Sequence, residues 1–379
     1  MKCNEIHRSD IDNIILLSDV HLGVRNASIE WIENIKDYFN RFFIPYIKTI
    51  VDKEADGYKA VLVIAGDFFD HRQCIDINVM NVGADIMQQV SSIIETFMVI
   101  GNHDIYKKED IDVNSLRLFQ YFSNITVIDK LSVLHVKNDV RFALIPWIGF
   151  HDKETEVLKN LKTSTDYAIM HADISGMVYD NGRAILNGAD TKVYGKKIYS
   201  GHIHKRQESK NVTYIGSPYQ LRRSDIGNVK GVYTLNITDT GKVEETFTKN
   251  NVSPIFKKVR FDDLVDRPFE EIRSIIYNNY IYIVINRITS TKEKSKLADM
   301  LDVFDKCDAK RLEFLVDTTS VDDTAQEEVS KDLTINDIFV QRVQSISELE
   351  AEEKDALIEM NNIYMKHASD ELSDLEIAL

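Results

Sequence analysis

The strongest constraint on the fold is a repeated pattern, in which a short apolar run stops at a cluster of polar, metal-ligating residues. Ile14-Ile15-Leu16-Leu17 runs into Ser18-Asp19, Val61-Leu62-Val63-Ile64 into Gly66-Asp67, and Phe97-Met98-Val99-Ile100 into Gly101-Asn102. Four-residue apolar runs bounded by turn residues read as strands buried on both faces. Between them, residues 28–53 and 79–94 space their apolar side chains as helices do, with Trp31, Ile35, Tyr38 and Phe42 sharing one face of the first. Strand alternating with helix implies an α/β fold, a parallel sheet faced by helices. After Tyr121 the texture changes to short strands, expected at 126–128, 133–136, 141–145, 167–170, 197–199, 213–215 and 232–235, which supply a second sheet.

A chain of 379 residues exceeds what one hydrophobic core usually holds, so smaller appendages are expected beside a main domain over 1–253. Near Pro254 the pattern restarts, with strands at 256–261, 280–285 and 311–316 and helices at 269–277 and 292–304. This βαβαβ unit reads as a small α+β domain over 254–320. An acidic, Thr-rich linker follows at 321–331, and 332–379 reads as two amphipathic helices and a tail.

Net charge is −15, a poor match to a nucleic-acid binder, but residues 321–379 carry 4 Lys+Arg against 16 Asp+Glu and hold most of the excess. The body is close to neutral. Cys3, Cys74 and Cys307 form no CxxC pair, which suits free thiols in a reducing cytoplasm. A polar start and the lack of any apolar run of about 18 residues lead us to expect neither a secretory signal nor a transmembrane helix.

The chemistry sits in five clusters, each at the carboxyl end of an expected strand, where α/β sheets bind ligands. They are Asp19-x-His21, Gly66-Asp67-Phe68-Phe69-Asp70, Gly101-Asn102-His103-Asp104, Met170-His171 and Gly201-His202-Ile203-His204. Carboxylate, amide oxygen and imidazole suit Mn, Mg, Fe or Zn. Asp19 with His21, and His202 with His204, can each serve one ion or be split between two, while Asp67 has two oxygens with which to bridge. A lone DxH motif is commonplace, and a single buried histidine is usually a satisfied core residue. Five clusters in this order, each after a strand, are far more specific.

In that order the clusters resemble the calcineurin-like metallophosphoesterases. The resemblance implies a four-layer α/β/β/α sandwich with a small capping domain and C-terminal helices. It implies that Asp19, His21, Asp67 and His204 hold one metal and Asp67, Asn102, His171 and His202 the other, with His103 protonating the leaving oxygen. Two ions about 3.5–4 Å apart can clamp the attacking and leaving oxygens of an in-line displacement.

GDFFDHR and GNHD stand where protein phosphatases of this superfamily read GDxxDRG and GNHE, which disfavours that branch. His171-Ala-Asp-Ile-Ser-Gly176, the element Ile215-Gly216-Ser217-Pro218 and Leu144-Ile145-Pro146-Trp147 resemble the double-strand-break repair nucleases. That family includes bacterial SbcD, the meiotic-recombination-eleven nuclease and phage recombination endonuclease subunits, and the compact phage type matches best. It implies a manganese-dependent (Mg2+ as the alternative) DNA endo- and exonuclease in an ATP-dependent recombination or repair complex. It implies a homodimer through helices near 77–94 and 113–122. It also implies a coiled-coil ATPase partner of the SbcC or Rad-fifty type, docked through 332–367 on the stripe Leu349, Leu357, Met360, Ile363 and Tyr364. Packing of that stripe onto the chain's own cap is the competing reading. Ser217, Arg222, Arg223 and His71 are candidate DNA contacts, though surface arginines are as often only surface. Some relatives carry histidine three residues after the bridging aspartate; here Asp70 stands there, with His71 next, and two readings stay open, that His71 supplies the missing function or that Asp70 stabilises the loop. A metallophosphatase or small-molecule phosphodiesterase with the same site is the alternative function, and an inert scaffold the third.

Overall fold

The computed structural model describes residues 3–52, 59–107, 110–286 and 291–316, the backbone alone for 291–294, and residues 340, 343, 344, 354, 355 and 357–359. The chain divides into two units, Met1–Asp317 and Thr318–Leu379. In the second, the described residues are helical and Leu357 is 37% exposed. The expected linker at 321–331, and Leu349, Met360, Ile363 and Tyr364, lie outside the described residues. No helix among the described residues is long and apolar enough to cross a membrane.

The first unit is built on two stacked sheets. The six-stranded one runs in the order Val243–Lys249, Gly231–Ile237, Asn13–Leu17, Ala60–Ala65, Glu95–Val99, Ile125–Ile128. The seven-stranded one runs Asn4–His7, Ser132–His135, Arg141–Ile145, Tyr167–His171, Ile198–Gly201, Val212–Tyr214, Gln207–Ser209. Alternation along each strand sets the layers. Ile15, Leu17, Leu62, Ile64 and Met98 face the helices Ile29–Tyr38 and Ile77–Ser91, whereas Ile14, Leu16, Val61, Val63 and Phe97 face Leu134, Phe142, Leu144 and Ile169 of the other sheet. The outer face of the second sheet, through Ala143, Ile145 and Met170, covers itself with Val157, Leu158 and Leu161 of the helix His151–Leu161. This gives the expected helix–sheet–sheet–helix stack. Asp76 caps the helix Ile77–Ser91, its carboxylate accepting the N–H groups of Asn78 and Val79.

Three details depart from the sequence reading. Ile125–Ile128 and Gly231–Ile237, expected in the second sheet, belong to the first. Gly231–Ile237 is buried at every residue except Asn236, and that demands an interior place, found antiparallel beside Asn13–Leu17. Residues 113–122 are not an α-helix. Asp110–Asn114 pairs as a hairpin with Ile105–Lys107, and Ser115–Tyr121 is a 3-10 turn that carries Phe119 against Phe68 and Phe69. The helix His151–Leu161 and the edge strands Asn4–His7 and Val243–Lys249 escaped the reading, because their polar residues mask the periodicity.

A separate parallel sheet, Phe256–Arg260, Tyr280–Ile285 and Arg311–Val316, encloses its own core of Leu264, Ile272, Ile276, Ile281, Ile283 and Phe304. It meets the main body where Tyr280 stacks on Trp31 at 5.4 Å between ring centres and its hydroxyl bonds Asn34 and Glu30 at 2.7 Å each.

Candidate metal centre

Five strands deliver the polar clusters to one edge. Asn13–Leu17, Ala60–Ala65 and Glu95–Val99 are parallel neighbours in the first sheet, and Tyr167–His171 and Ile198–Gly201 are parallel neighbours in the second. The Ala65 carbonyl joins the two sheets there, accepting from Ser18 Oγ at 2.9 Å and His171 Nδ1 at 2.8 Å. Asp19, His21, Asp67 and His202 take left-handed backbone angles (φ 53°, 47°, 53° and 91°). Such conformations cost about 1–3 kcal/mol each and persist only where surroundings over-determine them. Here the first two loops lace together through Asp19 N–H to Gly66 O, His21 N–H to Asp67 O and Asp70 N–H to Leu22 O, at 3.0–3.1 Å. Glycine is required between them. A Cβ on Gly66 (φ +91°) would lie 2.2 Å from His171 Nδ1, and one on Gly101 2.3 Å from Asp67 Oδ1.

The expected ligands converge. Among the described residues, three groups have ligand atoms mutually within 4.8 Å: Asp19, His21 and His204; His21, Asp67 and His103; Asp67, His171 and His202. Asn102 Oδ1 adds an amide oxygen 2.9 Å from His171 Nε2 and 2.8 Å from His202 Nδ1. Asp67 Oδ2 is 3.2 Å from His171 Nε2 and 3.7 Å from His21 Nε2, so this one carboxylate faces both halves of the cluster. His21 Nε2 and His204 Nε2 face each other at 2.9 Å, an approach of two ring nitrogens that calls for a cation or a single shared proton between them.

The electrostatics point the same way. Burial works against ionised Asp67, yet His171, His21 and His103 outweigh it and hold the carboxylate well below its usual range. Burial also opposes charge on His171, but Asp67 raises it to about 9. His204 is depressed by burial, by His21 and by Arg222. Buried carboxylates thus borrow positive charge from imidazoles, the role that divalent ions would fill, and the oxygen and nitrogen donor set fits such ions.

Asp70, left open by the sequence, has two duties. Its carboxylate holds His21 Nδ1 at 2.9 Å, and its backbone carbonyl accepts from His103 Nδ1 at 2.5 Å. That bond leaves His103 Nε2 as the free ring nitrogen. Burial lowers the His103 pKa, with Asp67 opposing. His71 is half exposed and reaches only the other Asp70 oxygen, at 3.9 Å.

Asp104 is a residue the sequence reading quoted without a role. Fully buried, it accepts the N–H groups of Asp67, Phe68, Phe69 and Gly101 at 2.9–3.4 Å, which pins the loop of Asp67 to the loop of Asn102. Burial and the Asp67 charge raise its pKa to about 7. The aspartate directly after Gly-Asn-His was the only available signal. Also missed was Lys230, buried and bonded to Asp225, Ser217 Oγ and the His204 carbonyl at 2.6–2.9 Å.

The four candidate DNA contacts are scattered. Ser217 is buried, and its hydroxyl bonds Tyr219 O and Lys230, which leaves nothing to offer a ligand. Arg222 Nη2 lies 3.2 Å from His204 Nδ1, beside the ligand cluster. Arg223 stacks over Tyr282 at 5.2 Å.

The family described as Calcineurin-like phosphoesterase matches residues 13–206. The chain is 26% identical over 366 residues to "Exonuclease subunit 1" of Enterobacteria phage T4, covering 93% of this chain and 98% of that one. It is 25% identical over 226 residues to "Putative phosphoesterase 078R" of Invertebrate iridescent virus 3, covering 57% and 60% of the two chains. It is 23% identical over 220 residues to "Putative phosphoesterase 244L" of Invertebrate iridescent virus 6, covering 55% and 70%.

Proposed function

The chain belongs to the calcineurin-like phosphoesterases, and from that premise we propose that it is a two-metal DNA nuclease, the cutting subunit of a phage-type recombination or repair complex. The observation that carries this is the run of three ligand groups linked through His21 and Asp67, with His103 in the middle one. Asp19, His21, Asp67 and His204 would hold one divalent ion and Asp67, Asn102, His171 and His202 the other, Mn2+ being the first choice and Mg2+ the second. When bound, the ions supply Lewis acidity that polarises a phosphodiester and makes an attacking water more acidic.

The chain's own residues do the rest. His103, its Nδ1–H tied to the Asp70 carbonyl, presents Nε2 toward the leaving oxygen and, as the doubly protonated imidazolium, gives that oxygen its Nε2 proton. The His103 backbone N–H, 2.7 Å from Asp67 Oδ1, fixes the Asp67 carboxylate and the acid in one frame. Arg222 can contact a backbone phosphate next to the His204 side of the site.

DNA as substrate is supported by the full-length likeness to the T4 exonuclease subunit, whose name also marks it as part of an assembly. By extension, residues 332–367 dock a coiled-coil ATPase. Self-association is supported by Ile77, Met80, Val113 and Tyr121, apolar side chains exposed at 40–87%. The test is to incubate the full chain with Mn2+ and labelled duplex DNA, alone and with a candidate ATPase, against a small phosphomonoester. DNA should be degraded and the monoester left. His103→Ser should abolish cleavage while two Mn2+ still bind. Preferred turnover of the monoester would transfer the assignment to a phosphatase.

A further inference from the structure

The two histidines of Gly201-His-Ile-His204 meet the ligand cluster through different ring nitrogens. His202 turns Nδ1 to Asn102 Oδ1 at 2.8 Å, and His204 turns Nε2 to His21 Nε2 at 2.9 Å. A neutral imidazole that gives one nitrogen to a cation carries its proton on the other, and the partner of that proton fixes both tautomer and ring orientation. His202 therefore needs an acceptor at Nε2 and His204 one at Nδ1.

One segment lies behind both. After His171 the chain runs through residues 172–190 before returning to the sheet at Ile198–Gly201. Asp173 Oδ1, shut off from solvent and with no other hydrogen-bond partner among the described residues, stands 3.2 Å from His202 Nε2. Asp180 Oδ1 is anchored by the Lys205 N–H at 2.8 Å, which holds Oδ2 3.7 Å from His204 Nδ1. The segment is firmly built. Ile174 bridges to Ala189 and Val178 to Ala184, Gln207 clamps both backbone groups of Val178, and Tyr214 Oη bonds Ile174 N and Ala172 O. Arg222 competes for His204 Nδ1 at 3.2 Å, but an N–H donor cannot bond a nitrogen that already carries a proton. Once Nε2 serves a cation, Asp180 is the only acceptor of the two, and Arg222 is released toward the phosphate side.

We propose that the 172–190 segment braces the two cation sites separately: Asp173 positions His202 for one ion and Asp180 positions His204 for the other. This rests on the dinuclear reading above. Neither aspartate touches substrate; both act through a histidine.

The test separates the sites. In a His171→Gln background only the Asp19–His21–His204 site remains whole, and in a His21→Gln background only the Asn102–His171–His202 site does. Calorimetric Mn2+ titration of the full chain, with EPR to count ions, should show Asp180→Asn weakening the first site roughly tenfold or more and leaving the second unchanged. Asp173→Asn should do the reverse. If an asparagine variant does not fold, serine at the same position decides by the same titration. Equal weakening of both sites by either variant, or no change, overturns the inference, because a general loosening of the loop has no reason to choose between ions. A wild-type chain that binds fewer than two Mn2+ overturns the dinuclear reading instead, and the inference with it.

Discussion

Asp104 shows how much of the centre depends on a side chain that touches no ligand. Its two oxygens take four backbone N–H groups from the loops of Asp67 and Asn102. Truncation leaves those donors buried and unpaired, at a cost of about 1–3 kcal/mol each where water cannot enter. Asp104→Ala should therefore lower unfolding free energy by at least about 3 kcal/mol in denaturant titration, and should weaken Mn2+ binding at both sites together. A loss confined to stability, with metal affinity intact, would show that the loops hold their shape without it. The side chains that converge here were legible in the sequence, because each is a His, Asp or Asn at a strand end. Asp104 and Lys230 were not, and Asp70 was read no further than as a loop support, because their importance lies in which groups they reach across 33–49 residues of chain or into a neighbouring loop.

Among the elements, fully buried strands were the easy part, since the runs at 14–17 and 61–64 are short, rich in β-branched residues or leucine and run into polar and turn residues. Edge strands were hard because one face, or nearly all of the strand, is polar. Asn4–His7 is an instance, and its attachment has an electrostatic component. His135 bonds Glu5 and Asp139 at 2.7 Å each, and those carboxylates, opposing its burial, raise its pKa. A histidine raised in the folded state adds stability that is whole below its unfolded pKa of about 6.5 and fades as pH climbs through the folded value. Glu5 and Asp139 are lowered through the same bonds, so their share is lost only as pH falls through their own folded values. The three groups are largely exposed at the carboxylate end, so the effect is small and salt-sensitive. Wild type should lose stability relative to His135→Gln as pH rises above about 6.5, measured as the difference between paired urea titrations. A constant difference above that pH would count against the ion pair.

At the scale of the molecule, the small sheet of residues 256–316 is tied to the body by an aromatic contact that composition could not reveal. Trp31, itself expected only as one residue of a helix face, stacks on Tyr280 and Phe256, at 5.4 and 6.3 Å between ring centres. Trp31→Ala should cost about 3–5 kcal/mol, felt first as loosening of that sheet. Limited proteolysis should then cut within 256–316 before the main body, while Mn2+ binding persists. Simultaneous digestion of both would mean the two parts unfold as one.

The pairing of Gly231–Ile237 with Asn13–Leu17 also has a bearing on how the chain is made. About 220 residues separate the partners, and at 5–20 residues per second a ribosome needs roughly 10–40 s to deliver the second after the first. Throughout that interval one of the most apolar strands in the protein waits with a bare edge, open to pairing with a neighbouring nascent chain. Rapid, crowded expression is therefore when this molecule is most exposed to misassembly, and slower synthesis at lower temperature is the condition that favours its correct closure.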